Sequence, residues 1–268
     1  MTTTYKRKTI LNTEIPLLKA GCLLFFIFFC SCVNAQTPKV NVIVPPSYET
    51  DTSKHYPVIY LLDGELNKEM LRGMLERLHA SNGAYEHIIV SIDVADRLND
   101  FAPTVNLDPR GPVGSGGGAD TFLDFLEQEL MPRIIKQYRT RDFSTVAGHS
   151  IAGLLVIHSF HSRPDLFQSH LAFSPAVWWG AQETAQAAQN YVLSDNDTGT
   201  YLYMDIGSES GEMRSIYDAF AKTILQNRST DLVLQLDEFG GVTHDFTMAA
   251  GLYSALSGLY SYQRARGL

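Results

Sequence analysis

The amino-acid sequence predicts one α/β domain with a doubly wound, mostly parallel sheet, and two observations support this. The first is a set of apolar runs without polar alternation, such as "YPVIYLLDG" at 56–64 and "HIIVSIDV" at 87–94. Runs of this kind are typical of strands buried on both faces. The second is that helix-like stretches separate the runs, because strand, helix, strand is the unit of a parallel sheet. A chain of 268 residues with 45% hydrophobic side chains can bury one such core.

The N-terminal segment 1–35 is predicted to be a secretory signal peptide. Three basic residues precede an apolar run at 20–33, which ends in the small-residue cleavage pattern Val33-Asn34-Ala35. The run is short for a membrane span, which needs about 20 residues, although an uncleaved anchor stays an alternative. A lipid anchor on Cys32 is a weaker alternative, since bulky residues precede it. We therefore expect an exported protein, periplasmic or extracellular, whose mature domain is 36–268.

Composition excludes several kinds of chemistry and partner. All three cysteines, Cys22, Cys30 and Cys32, lie in the predicted signal peptide, so a cleaved chain has no thiol for catalysis, disulfides or metal binding. Cleavage would also remove four basic residues and one acidic residue, which changes the formal net charge from −8 to −11. Nucleic acid and anionic membranes repel such a chain at long range, so we expect neither as a partner. We expect no metal ion and no cofactor, and the oligomeric state is left open.

The first half of the mature chain is predicted to contain three strands, two helices and one long loop. "KVNVIVPPSY" at 39–48 is a strand that stops at a proline pair, and the helix 67–80 joins the two apolar runs. The Gly- and Pro-rich segment 97–118 is too irregular for a regular element, and no Gly-Lys-Ser/Thr follows to make it a phosphate loop. We interpret it as a flexible approach to a helix at 119–138. Five side chains of that helix are predicted to share its buried face, with Glu127 and Glu129 in solvent: Leu123, Leu126, Leu130, Ile134 and Ile135.

The second half continues the alternation of strands and helices. Strands are predicted at "FSTVAGHS" (143–150), "SHLAF" (169–173), "TYLYMDIG" (200–207) and "DLVLQLDEF" (231–239). Helices are predicted from 151 to about 159, over 216–228 and over 248–263. No internal repeat or linker interrupts this order, which supports one doubly wound domain.

Ser150 is the candidate nucleophile, at the point where an apolar strand gives way to an apolar helix. It lies in Gly148-His149-Ser150-Ile151-Ala152-Gly153, where small residues flank the serine. Such flanks let a sharp strand-to-helix turn close and expose the hydroxyl at the carboxyl end of the strand. The G-x-S-x-G pattern has glycine two residues after the serine, whereas this chain has Ala152. A serine that only caps the helix is the alternative interpretation.

A nucleophilic serine needs a base and an acid, which follow it in the order serine, acid, histidine in this fold. His244 is the candidate base, because it lies after a late strand in the loop "GGVTHDF". The acid should follow the strand "YLYMDIG". Glu209 is the first choice and Glu212 the alternative, while Asp205 lies within the strand. Three other histidines follow the serine too closely: His158, His161 and His170.

An oxyanion hole needs two backbone N–H groups that point at the developing negative charge. Ile151 supplies one candidate, because it begins the helix behind the serine. The loop after the strand "YLLDGE" supplies the other, from Gly64 or Glu65.

Six features of the mature chain occur together in one order: "YLLDGE" (60–65), "FLEQELMPRIIKQY" (125–138), "AGHSIAGLL" (147–155), "FSPAVWW" (173–179), "IGSESGE" (206–212) and the late His244. In these features the chain resembles the esterases of the esterase D type within the α/β-hydrolase superfamily, and among them hydrolases related to the enterobactin-type siderophore esterases. The likeness spans most of the mature chain, and it implies an α/β-hydrolase fold with 36–268 as the esterase domain.

The resemblance implies ester hydrolysis through an acyl-enzyme, with Ser150 as nucleophile, His244 as base and an acid near Glu209. It implies an oxyanion site at the Asp63-Gly64 loop. It also implies that the tryptophan pair borders the substrate cleft, and the expected substrate-binding residues are Trp178, Trp179 and His149. Ala152 departs from the family pattern and puts the width of the serine turn in question.

Three functions therefore stay open at the level of sequence. The first is a secreted serine carboxylic-ester hydrolase acting on small-molecule esters, with siderophore lactones the favoured class. The second is a feruloyl or acetyl esterase acting on glycan esters, since aromatic faces stack on catechols and sugars alike. The third is a ligand-binding protein that keeps the hydrolase scaffold without catalysis.

Overall fold

The computed structural model describes residues 37–109, 111–194 and 199–268. The predicted signal peptide lies outside the described residues. Seven strands form one sheet: β1 (Lys39–Ile43), β2 (Tyr56–Leu62), β3 (Ile88–Asp93), β4 (Thr140–His149), β5 (Ser169–Phe173), β6 (Tyr201–Ile206) and β7 (Val233–Glu238). Their order across the sheet is β1-β3-β2-β4-β5-β6-β7. Only β1 runs antiparallel to its neighbour, and the remaining pairs are parallel.

Helices follow the strands and cover both faces of the sheet. They are α1 (Gly64–Ala80), α2 (Arg97–Phe101), α3 (Ala119–Phe125), α4 (Met131–Gln137), α5 (Ile151–Ser162), α6 (Glu183–Leu193), α7 (Gly211–Asn227) and α8 (Thr247–Ala265). One π turn, Leu126–Leu130, joins α3 to α4, and a 3₁₀ turn, His244–Phe246, leads into α8. In the described part of the chain, no helix combines the length and the hydropathy that crossing a membrane requires.

The core has two layers, one on each face of the sheet. Helices α1 and α8 pack on one face, and α2 to α7 pack on the other. Strands β2, β5 and β6 are buried along their whole length, as expected for apolar runs without alternation. Helix α5 is buried from Ile151 to Phe160, which explains why its sequence shows no polar face.

Four details of the chain differ from the sequence predictions. Ile135 is 61% exposed, because it lies one residue past the buried Ile134 and so about 100° around the helix. Helix α6 was not predicted, since its buried face consists mostly of small residues, which give a weak apolar signal.

The other two lie in the segment 97–118, for which no regular element was predicted. Its first five residues form helix α2, whose N-cap Asp96 accepts a hydrogen bond from the N–H of Asn99. The described residues of 102–118 surround the buried side chain of Asn106, which donates to the carbonyl oxygens of Asp108 and Pro112. These residues form a structured loop where the sequence predicted a flexible one.

The parallel order has one consequence for function. The loops that follow β2, β4, β5, β6 and β7 all leave the sheet at the same edge, where their carboxyl ends lie. In open α/β sheets this edge is where ligands bind.

Candidate active site

Ser150 occupies a strained turn between β4 and α5. Its backbone has φ of 61° and ψ of −116°, a region that residues other than glycine rarely adopt. Main-chain hydrogen bonds hold the turn: Ser150 N–H donates to Phe173 O at 3.0 Å, and Ser150 O accepts from Leu154 and Ala176. The side chain is thereby held above the carboxyl end of the sheet, at the first turn of α5.

Gly148 and Ala152 explain how the turn closes without the usual second glycine. A Cβ on residue 148 would lie 2.7 Å from the carbonyl carbon and oxygen of Ala152, so glycine is required there. Ala152 is fully buried, and its methyl group packs against the space that Gly148 leaves open. One glycine and one alanine thus satisfy the turn, and the departure from G-x-S-x-G does not prevent it from forming.

Three loops bring Ser150, His244 and Glu209 into one hydrogen-bonded chain. Ser150 Oγ lies 2.9 Å from His244 Nε2, and His244 Nδ1 lies 2.7 Å from Glu209 Oε1. When Nδ1 carries the proton and donates it to the carboxylate, Nε2 presents its lone pair to the serine hydroxyl. Glu212, the alternative acid, lies in the first turn of α7 with its side chain exposed.

The carboxyl of Glu209 is held in its ionised form. Its side chain is 12% exposed, and this burial favours the neutral acid and would raise the pKa. Hydrogen bonds donated by Ser174 and His244 outweigh the burial, and the pKa of Glu209 stays below its ordinary value. A negative charge next to Nδ1 stabilises the imidazolium that would form when His244 takes a proton from Ser150.

Ser174 is a site residue that the sequence analysis missed. It follows β5 directly, and its hydroxyl contacts both Glu209 Oε1 and His244 Nδ1. Its N–H donates to Asp205 Oδ1 at 2.8 Å, and the other oxygen of Asp205 accepts from the Tyr203 hydroxyl. Burial raises the pKa of Asp205 to about 8. The only signal for Ser174 in the sequence is its place at the end of a strand neighbouring the serine strand.

The loop after β2 lies beside the loop after β4, because these strands are neighbours, and it carries both Gly64 and Glu65. The N–H of Glu65 is used in a hydrogen bond to another strand. Asp63 adopts a left-handed conformation, and a Cβ on residue 64 would lie 2.1 Å from Ser91 Oγ, so only glycine fits. The N–H of Glu65 donates to both carboxylate oxygens of Asp93, at 3.0 and 3.1 Å. The prediction that Glu65 is an oxyanion donor is therefore wrong, because its donor is already used. Gly64 is therefore the remaining candidate for an oxyanion donor on this loop.

Arg97 and His149 tie the loops of the site together. Arg97 pairs with both oxygens of Asp63, and it donates to the carbonyl oxygen of His149 at 3.0 Å. The Nε2 of His149 donates to the carbonyl oxygen of His244 at 2.8 Å. Burial, with the nearby His244, lowers the pKa of His149, which keeps the imidazole neutral. The prediction that His149 binds substrate is replaced by a structural contact, because its distal nitrogen is used to hold the histidine loop.

The two tryptophans have different environments. Trp179 is 2% exposed and its indole N–H donates to Thr104 O, so it belongs to the core and does not line the cleft as predicted. Trp178 is partly exposed. It borders a cavity of about 30 Å³ that Ser174, Glu209, His244, Met213 and Tyr217 also line. A larger cavity, about 700 Å³, lies at the opposite end of β2 and β4, and none of these residues lines it.

No metal centre accompanies these groups in the ranges that the structure describes. There, no cluster of three or more His, Cys, Asp or Glu side chains is arranged to hold an ion. The described residues around Ser150 contain groups that acyl transfer can use: a hydroxyl, an imidazole, a carboxylate and backbone donors.

Comparison with known proteins places the chain in a family. The family model described as "Putative esterase" matches residues 33–255. The siderophore triacetylfusarinine C esterase of Aspergillus fumigatus is 30% identical over 202 residues, which cover 67% of this chain and 68% of that protein. The ferri-bacillibactin esterase BesA of Bacillus subtilis is 32% identical over 155 residues, 51% of this chain and 53% of that protein.

Solved structures agree with the family assignment. An IroE-like serine hydrolase from Shewanella oneidensis superposes with a TM-score of 0.78 and 27% identity, over 84% of this chain and 76% of that one. The predicted α/β-hydrolase fold is thereby confirmed. The chain belongs to the Esterase family, and it is a carboxylic ester hydrolase of the serine type.

Proposed function

We propose that this protein hydrolyses esters through an acyl-enzyme on Ser150, with His244 as general base and acid and Glu209 as the acid of the triad. The observation that carries the proposal is the continuous chain of contacts from Ser150 Oγ through His244 to Glu209, with distances of 2.9 and 2.7 Å. Both distances lie within hydrogen-bond range, as a serine activated by imidazole requires.

In the first half of the reaction, Ser150 Oγ bonds to the ester carbonyl carbon while His244 Nε2 takes its proton. The tetrahedral oxyanion then collapses, the alcohol leaves with the proton from Nε2, and the acyl group stays on Ser150. In the second half, water gives a proton to His244 and attacks the acyl carbon, which releases the carboxylic acid and restores the serine.

The oxyanion is expected to be held by the N–H groups of Ile151 and Gly64. Ile151 is the first residue of α5, where the N–H has no carbonyl partner from a preceding turn, and the helix dipole favours negative charge there. Gly64 has the same place in α1. Because β2 and β4 are neighbouring parallel strands, with Leu61 paired with Ala147, the N-termini of α1 and α5 follow the same edge of the sheet. That placement supports a site suited to a developing negative charge.

The substrate class we propose is a siderophore ester. The first relative described above is named a siderophore triacetylfusarinine C esterase and the second a ferri-bacillibactin esterase, and both names support this class for the chain. Trp178, at the edge of the site, offers an aromatic face for a catechol-like or other planar group. Feruloyl and acetyl esters of polysaccharides are the second candidate, because the same aromatic face suits a ferulate.

Replacing Ser150 by alanine tests the reaction. S150A should lower hydrolysis of a p-nitrophenyl ester by about 10⁴-fold or more, because nothing else in the triad can carry the acyl group. Ser215→Ala is the matched control, since its hydroxyl bonds within α7 to Gly211 O and its activity should match the wild type. Full activity in S150A, with the fold intact, would refute the proposal.

A competition among three substrates tests the class. We expect kcat/KM for enterobactin to exceed that for methyl ferulate and for acetylated xylan by about tenfold or more. A higher value for methyl ferulate or acetylated xylan would move the assignment to polysaccharide esters. A protein that binds these esters without turning over any of them would be the non-catalytic member of the fold.

Export is part of the proposal and has its own test. The full chain expressed in a Gram-negative host is expected in the periplasm or the medium, with a mature N-terminus at Gln36 after cleavage behind Ala35. Intact mass spectrometry reads the cleavage site. A protein that keeps residues 1–35 in the cytoplasmic fraction would contradict it.

A further inference from the structure

The hydroxyl of Ser174 lies between the acid and the base of the site. Ser174 Oγ donates to Glu209 Oε1, and it lies 3.0 Å from His244 Nδ1. Ser174 is 4% exposed, so water does not compete freely for these contacts. Ser174 follows β5, Glu209 follows β6 and His244 follows β7, so one side chain joins three segments of the chain.

We propose that Ser174 is a positioning residue for ester hydrolysis, which holds Glu209 ionised and in line with His244 Nδ1. The proposal rests on the proposed function, because it assigns Ser174 a part in the same triad. The role assigned to Ser174 involves no contact with the reacting ester, because the residue acts through Glu209 and His244.

The hydrogen bonds of Glu209 show why the hydroxyl matters. Among the described residues, Glu209 Oε2 is buried and has no hydrogen-bond partner. The two side chains that donate to the carboxylate, through the Ser174 hydroxyl and the His244 Nδ1–H, both do so at Oε1, and the N–H of Glu209 itself also lowers the pKa of the carboxyl. Loss of Ser174 would leave a largely buried carboxylate with one side-chain donor, which favours the protonated acid.

The backbone at Ser174 supports a role for the side chain. Its φ of 38° lies in the left-handed region, which glycine adopts at lower cost than serine. The N–H of Ser174 is held by Asp205 Oδ1, so this conformation does not depend on the hydroxyl. A functional role for Oγ explains why this position holds a serine although its backbone conformation favours glycine.

Four other titratable side chains surround the pair and are part of any pH dependence. Asp205 in β6 faces it through the Ser174 N–H, and His149 at the end of β4 holds the carbonyl of His244. Tyr217 in α7 lines the same cavity, and Asp245 follows His244 in the chain. The variants below leave all four unchanged, so a shift in the profile reports the loss of the hydroxyl.

Two substitutions separate the hydroxyl from the backbone. Ser174→Ala removes the donor, and Ser174→Gly removes it while relieving the positive φ. Both are expected to lower kcat by about 10-fold to 100-fold, with KM within about twofold, because a hydrogen bond to a charged group is lost. The acid limb of the kcat/KM profile should move to higher pH in both, since the coupled Glu209–His244 pair takes up a proton more readily once the carboxylate has lost a donor. Ser159→Ala, which removes a buried hydroxyl that bonds within α5, should change neither kcat nor the acid limb.

The outcomes distinguish this inference from the proposed function. An inactive wild-type protein would refute the proposed function itself. An active wild type with an unmoved acid limb in both Ser174 variants would refute only the positioning role, even if kcat fell, because a packing defect lowers activity at every pH. Restoration of wild-type activity in Ser174→Gly would also refute it, since backbone strain alone would then explain Ser174→Ala.

Discussion

The two sides of the active site are held in place by different means. The nucleophile side, defined as Asp63–Gly64 with 148–152, depends mainly on backbone geometry. Ser150 and Asp63 have positive φ, and Gly148 and Gly64 stand where a Cβ would collide with neighbouring atoms. The base side, defined as Ser174, Glu209 and His244, depends on side-chain hydrogen bonds between loops from three strands.

This difference predicts opposite sensitivities. The nucleophile side should tolerate little change in side-chain size, because backbone atoms of neighbouring segments are in close contact there. The base side should tolerate changes of size better than changes in the number of donors and acceptors, because burial makes an unpaired polar group costly. Arg97 and His149 join the two sides, through Asp63 on one and the His244 carbonyl on the other.

The largest effect is expected for the acid. Glu209→Gln should lower kcat by about 10²-fold to 10⁴-fold, since a neutral amide does not stabilise the imidazolium and can favour the wrong tautomer of His244. Glu212→Gln is the matched variant, one turn away in α7, and should keep most of the activity. If Glu212→Gln lost more activity than Glu209→Gln, Glu212 and not Glu209 would be the acid that supports His244.

A smaller effect is expected from enlarging the serine turn. Gly148→Ala places a Cβ 2.7 Å from the Ala152 carbonyl and should lower the free energy of unfolding by about 1–3 kcal/mol. Gly73→Ala in α1 is the control, because a Cβ there meets nothing within 4 Å and alanine favours the helix. Thermal unfolding of both variants measures the contrast. Equal stability would mean that the backbone side is less tightly packed than the distances indicate.

The smallest effect is expected at the link between the two sides. Arg97→Lys keeps the charge but loses the paired contact with Asp63 and the His149 carbonyl, and kcat should fall by about tenfold with KM little changed. Arg72→Lys, at an exposed ion pair of α1, should have no effect. A change confined to KM would assign Arg97 to substrate binding instead.

The same contrast explains how much the sequence alone could predict. The fold followed from apolar runs and their alternation with helices, because burial on both faces leaves a periodic signal. The nucleophile, the base and the preferred acid were named from their order along the chain, and the structure brings those three side chains together. The nucleophile side could be predicted from the sequence because tight turns require particular small residues at fixed spacing.

The contacts of the base side, and those of Arg97 and His149 that join the two sides, could not be predicted from the sequence. Ser174, Arg97 and the orientation of His149 depend on which side chains face one another across loops, and no local pattern encodes that. The burial of Trp179 beside the partly exposed Trp178 depends on the loop 102–118, whose carbonyl at Thr104 accepts the indole N–H. The hydrogen bond from Glu65 to Asp93 likewise joins the first turn of α1 to the end of β3, and the sequence "YLLDGE" does not predict it.

The central claim is that Ser150 is made nucleophilic by its contacts with His244 and Glu209. Labelling by a fluorophosphonate, followed by peptide mass spectrometry, tests it directly, because the probe forms a covalent bond with an activated serine. We expect one adduct in the wild type, on the peptide that contains Ser150. Labelling should be much slower in His244→Gln, and no adduct should form in S150A. An adduct on any other residue, or labelling of Ser150 at the wild-type rate in His244→Gln, would contradict it.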